Sequence, residues 1–111
     1  MVKSEKWDKY EAALLIESVF KINTGVSSRA DEVRKLSDML RNRANNLGVF
    51  IEEKFRNQNG INLQIVAVES LLNAEMAPRH CAKIFIEMLK LYENEREKFN
   101  SVLEIAHEQA K

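Results

Sequence analysis

The feature that most constrains this chain is an apolar stripe at helical spacing, repeated along its length and rarely interrupted by a helix breaker. Trp7, Tyr10, Leu14, Leu15, Val19 and Ile22 fall at the i, i+3/i+4, i+7 positions of one helix face. Val33, Leu36, Met39, Leu40, Ala44 and Leu47 do the same, as do Cys81, Ile84, Phe85, Met88, Leu89 and Tyr92. Phe99, Val102, Leu103, Ala106 and Ala110 give a last stripe. With three glycines and one proline in 111 residues, the connections must be short, and 45% apolar content supplies a core without staples. The expected fold is all-α: one domain over residues 1–111, a compact bundle of about five helices.

The segment 61–73 differs from the others. Ile61, Leu63, Ile65, Val66, Val68, Leu71 and Leu72 go most of the way round a helical wheel, and a helix apolar on all sides is expected to be buried. Ile65-Val66-Ala67-Val68 also suits a strand, but thirteen residues including Glu69, Ser70 and paired leucines favour a helix. It is expected to be the spine of the core.

Local signals place the ends. Asp8 suits the N-cap of a first helix reaching about Asn23, and Gly25 the left-handed residue after it. Ser27 and Ser28 offer caps for the second helix, with Asp31 and Glu32 in its first turn and Gly48 at its end. Val49–Phe55 reads as loop. Asn59 is placed to cap the third helix and Pro78 to open the fourth. Asn94 with Glu97 forms a capping-box pattern for the fifth.

Composition excludes several classes. Formal net charge is zero, so no global field attracts nucleic acid or membrane. Residues 28–59 hold seven basic and five acidic side chains, and residues 60–111 six and eight, a mild asymmetry. Cys81 stands alone, and His80 and His107 are isolated, so no metal-ligand spacing and no cofactor are expected. The polar start lacks the pattern of a signal peptide, and no apolar run spans a bilayer. A cytoplasmic protein without catalytic residues is the expectation: Glu52 and Glu53 diverge on a helix, and Ser37 has no histidine near it in sequence.

One stretch is not explained by helix or core. Arg56, Asn57, Gln58 and Asn59 put four hydrogen-bonding side chains in a row between Phe55 and Ile61, and Gly60 frees the backbone. A structural reading has Asn59 cap the next helix, Asn57 close a turn and Arg56 pair with Glu52 or Glu53. A functional reading has the row open a helix whose N-terminus favours anions, with Arg, Asn and Gln suited to base edges. Arg41, Arg43 and Lys54 would then follow phosphates, since no acid interrupts Arg41–Asn46.

Trp7 and Glu11, Leu36-Ser37 with Leu40-Arg41, and Phe55-Arg56-Asn57-Gln58-Asn59-Gly60-Ile61 occur in that order. Together they resemble a helical domain found ahead of HNH nuclease domains in bacterial restriction-type proteins and at the N-termini of other large bacterial proteins. The Phe-Arg-Asn-x-Asn-Gly element is the most specific part, and the resemblance covers about residues 7–73. It implies an accessory or target-recognition module of a defence or mobile-element system, with Arg41, Arg56, Asn57 and Asn59 at the matching positions. An HNH histidine, a Cys-x-x-Cys pair and a second domain are missing from this sequence, so no catalysis carries over. The chain is then a domain of a longer protein, whose remainder carries any catalytic function, or a small stand-alone relative.

The leading expectation is a non-catalytic DNA-binding module, weak alone, reading DNA with Arg41, Arg43, Lys54, Arg56, Asn57, Gln58 and Asn59. The alternative is a protein-interaction or oligomerisation module whose apolar patch lies on the last two helices. A third reading, an inhibitor imitating nucleic acid, rests on the acidic balance of residues 87–108.

Overall fold

A computed structural model describes residues 6–77 and 79–111. They form five helices: α1 (Lys9–Asn23), α2 (Arg29–Asn46), α3 (Gln58–Leu72), α4 (Lys83–Asn94) and α5 (Arg96–Gln109). No strand occurs among the described residues, so the all-α bundle stands. The strand pattern at Ile65–Val68 lies inside α3.

The spine, however, is α1 and not α3. Ala12, Ala13, Leu14, Leu15 and Ile16 are all 0% exposed. Five consecutive residues at 100° steps point in every direction, so this turn of α1 is enclosed on all sides. α1 packs against each of the other four helices, whereas α3 packs chiefly on α1 and α2. α3 buries only Ile61, Ile65 and Val68 with their flanks Ala67 and Glu69, and leaves Leu63, Leu71 and Leu72 exposed. The inference from hydropathy failed because α1 hides polar groups in its core contacts. Glu11 and Ser18 are buried on it, and Glu11 is fully partnered.

The first two helices follow their sequence signals. Asp8 Oδ1 accepts from Glu11 N at 2.8 Å while Glu11 Oε1 accepts from Asp8 N at 3.1 Å, a reciprocal capping box. Ser28 Oγ caps α2 through Asp31 N. Both helices close with a left-handed glycine: Gly25 at φ 76° and Gly48 at φ 77°. The next amides, Val26 N and Val49 N, reach back to Lys21 O and Ala44 O, the Schellman arrangement.

The later boundaries differ. Asn57, not Asn59, caps α3: its Oδ1 accepts from Gly60 N at 2.8 Å. A Cβ on Gly60 would sit 3.2 Å from that oxygen, so the glycine makes room for the cap. α4 begins at Lys83, several residues beyond Pro78, which lies outside the described residues. α5 starts after Glu95 without a side-chain cap, so the Asn94–Glu97 box does not form.

Candidate interaction surfaces

The head of the polar row, Arg56, is a buried junction. Arg56 takes a left-handed backbone, φ 47°, a conformation that costs a non-glycine residue about 1 kcal/mol or more and persists where surrounding contacts hold it. Its Nε donates to Glu11 Oε2 at 2.8 Å and its Nη2 to Glu11 Oε1 at 3.0 Å. Both side chains are under a tenth exposed. Nη2 also donates to Lys6 O, and Ser37 Oγ donates to Arg56 O at 2.8 Å. The guanidinium lies 4.5 Å from the Trp7 ring centroid and 4.6 Å from that of Phe55. Trp7 in turn tilts against buried Phe85 of α4. Through its side chain and its carbonyl, this one residue ties the start of α1 and the middle of α2 to the entrance of α3.

The other arginines are also engaged. Arg41 donates through Nη1 to the carbonyls of Glu52, Glu53 and Phe55, holding the α2–α3 loop in shape. Arg43 is 7% exposed; it donates to Gln109 Oε1 at 2.7 Å and Asp8 Oδ2 at 3.0 Å, and lies over Tyr10. Asn46 ties the same corner through the carbonyls of Gln109 and Lys111. Of the seven residues expected to contact DNA, Lys54, Gln58 and Asn59 are exposed. Arg56 pairs not with its sequence neighbours Glu52 or Glu53 but with the distant Glu11. An i, i+3/i+4 search could not have found it.

The apolar surface lies elsewhere than on the last two helices. Phe85, Met88, Leu89 and Phe99 of α4 and α5 turn inward, and Ile105 is their one large apolar residue that is strongly exposed. Two areas stand out instead. After α2, Leu47, Val49 and Phe50 are all exposed, Phe50 at 87%. On α3, Leu63 is 63% exposed and Leu71 45%. From Gln58 to Leu72 the only charged residue is Glu69, and it faces α2, where Arg29 Nη2 donates to both its oxygens at 2.7 and 2.8 Å. The outward face of α3 is therefore uncharged. Its signal in the sequence was an apolar spread wider than one core-facing stripe needs, combined with a lack of charge.

Buried titratable groups sit apart from these surfaces. Burial alone would push the Glu32 carboxyl up; the hydroxyls of Ser27 and Ser18, with Lys35 and Lys21, outweigh it and hold the group below its ordinary range. Burial pushes the Cys81 thiol up, away from reactivity. No group of three or more His, Cys, Asp or Glu able to hold a metal occurs among the described residues. No helix there is long and apolar enough to cross a membrane. Comparison with known proteins finds no matching family model, curated protein or solved structure.

Proposed function

We propose that this chain is a non-catalytic helical module that works by binding protein, with the outward face of α3 as its contact surface. The observation that carries this reading is a face without charge that exposes Leu63 and Leu71, on a helix whose entrance spends Arg56 and Asn57 on internal contacts. An exposed leucine is ordinary when alone. A helix that keeps Leu63 and Leu71 in water without a surface charge of its own is suited to being covered. The resemblance to helical domains ahead of HNH nucleases agrees with this reading, since an accessory module acts through contacts.

Nucleic-acid binding ranks second. It retains Lys54, Gln58 and Asn59, with one cation among them, while affinity for a phosphate backbone grows with the number of phosphates neutralised.

The test is capture of partners from an extract of the source cell, after nuclease treatment, at low and high salt, by wild type and Leu63→Glu. A protein retained at high salt by wild type and lost from the variant is the expected result. Retention that requires nucleic acid and fades with salt, or that ignores Leu63, contradicts the reading.

A further inference from the structure

We infer that α4 and α5 form a hinged pair that straightens into one helix, letting two copies of this chain exchange α5. Glu95, at φ −140° and ψ 63°, is the only residue between the two helices. From Leu91 to Phe99 the sequence holds no glycine or proline, so nothing there forbids a helix. α5 begins with no side-chain cap, and the left-handed glycine that ends α1 and α2 has no counterpart at this bend.

The backbone is already close to continuous. Glu95 N donates to Leu91 O at 2.8 Å, and Lys98 N and Phe99 N donate to Glu95 O at 3.0 and 3.1 Å. Only the amides of Arg96, Glu97 and Lys98 would need new acceptors to complete an i→i−4 ladder. Arg96 Nε donates to Tyr92 O at 2.7 Å, the carbonyl its own amide would take. The apolar pattern also crosses the bend without a change of phase. Phe85, Met88, Tyr92, Phe99, Val102 and Ala106 keep the three–four spacing of a single heptad seam, and Glu95 fills the one remaining position. Two helices joined by a bend need no common phase, whereas one long helix does. Straightened, Lys83–Gln109 would run for roughly 40 Å with one apolar side.

A straight helix cannot keep α5 on its own α1. Tyr92 and Phe99 meet edge to face with ring centroids 5.1 Å apart. As i and i+7 of one helix they would stand about 10 Å apart along the axis. The contacts that hold α5 are then remade between copies: Phe99 on Tyr92, His107 on Glu17 and Gln109 on Arg43, each of the other copy. The occupant is a second copy because it carries the surface that α5 already fits. Closed and exchanged forms share these contacts and differ chiefly at the bend, so chain concentration decides between them. Glu95, on the seam, would face Glu95 of the other copy near the two-fold axis, a like-charge pair that favours the closed form. α3 packs chiefly on α1 and α2, so the exchanged dimer would present two α3 faces at once.

The experiment is sedimentation velocity after refolding from urea at low and high chain concentration. Wild type is expected to give a dimer fraction that grows with the refolding concentration. Glu95→Leu, which completes the seam, should strengthen dimerisation by about tenfold or more. Arg96→Pro should abolish it, because proline suits the first turn of α5 but cannot continue α4. Leu63→Glu, on the α3 face, should leave it unchanged. Exchange is read directly in a Cys81→Ala chain carrying Glu17→Cys and His107→Cys. A short bis-maleimide should join the two new cysteines within the monomer and between chains in the dimer. A wild-type chain monomeric at every concentration overturns the inference, as does Glu95→Leu no more dimeric than wild type. So does a folded Arg96→Pro chain that still dimerises, a dimer lost with Leu63→Glu, or a dimer whose cross-link stays within each chain. Should Arg96→Pro not fold, the Glu95→Leu effect and the cross-link decide.

Discussion

The Arg56 junction and the outward face of α3 adjoin in sequence and use their residues in opposite ways. The junction gathers an arginine, a glutamate and a serine, and buries them with their partners. The α3 face gathers leucines, Leu63 and Leu71, and leaves them at the surface. Residue type alone assigns the two regions the other way round. Partners decide: a charge can be buried when a counter-charge and donors meet it, and an apolar helix stays exposed when its neighbours cover only one side.

The sharpest way to break this contrast is to unpair the junction. Arg56→Ala leaves the Glu11 carboxylate buried without its counter-ion and should cost about 3–5 kcal/mol. The loss is read as a lower urea midpoint with an unchanged slope. Replacing both partners, Glu11→Leu with Arg56→Met, should recover much of the loss.

Next in size is Glu32, nearly enclosed and with Oε2 unmatched by a hydrogen bond, though Lys35 Nζ lies 3.6 Å away. Glu32→Ala should cost on the order of 1–3 kcal/mol at neutral pH. Because the folded carboxyl titrates below its unfolded value, its contribution is present above the ordinary value of 4.5 and is lost as pH falls through the folded value. The gap between wild type and Glu32→Ala should therefore narrow in acid. A gap that widens there contradicts the assignment.

Asn57→Ala removes the α3 cap and should cost about 1 kcal/mol, while Asn59→Ala should cost little. Equal effects would return the cap to Asn59.

Much of the fold was legible because local rules governed it. The Asp8 cap, the Ser28 cap and the two glycine termini depend on residues within one turn, and all are present. The site failed to show because its contacts join residues distant in sequence. Arg56 finds Glu11 across 45 positions, and Arg43 finds Gln109 across 66. No periodicity reports such pairs. The α3 cap was misplaced by two residues because Asn57 and Asn59 are chemically equivalent candidates, and Gly60 fits only the first. Hydropathy assigns the outward face of α3 to the core because it counts apolar residues and not the neighbours available to cover them.

The most direct measurement sets Arg56→Ala beside Leu63→Glu in urea unfolding, at a concentration where the chain is monomeric. The account predicts several kcal/mol lost from Arg56→Ala and a change within about 0.5 kcal/mol for Leu63→Glu. An Arg56→Ala chain as stable as wild type, or a Leu63→Glu chain that unfolds, would contradict it.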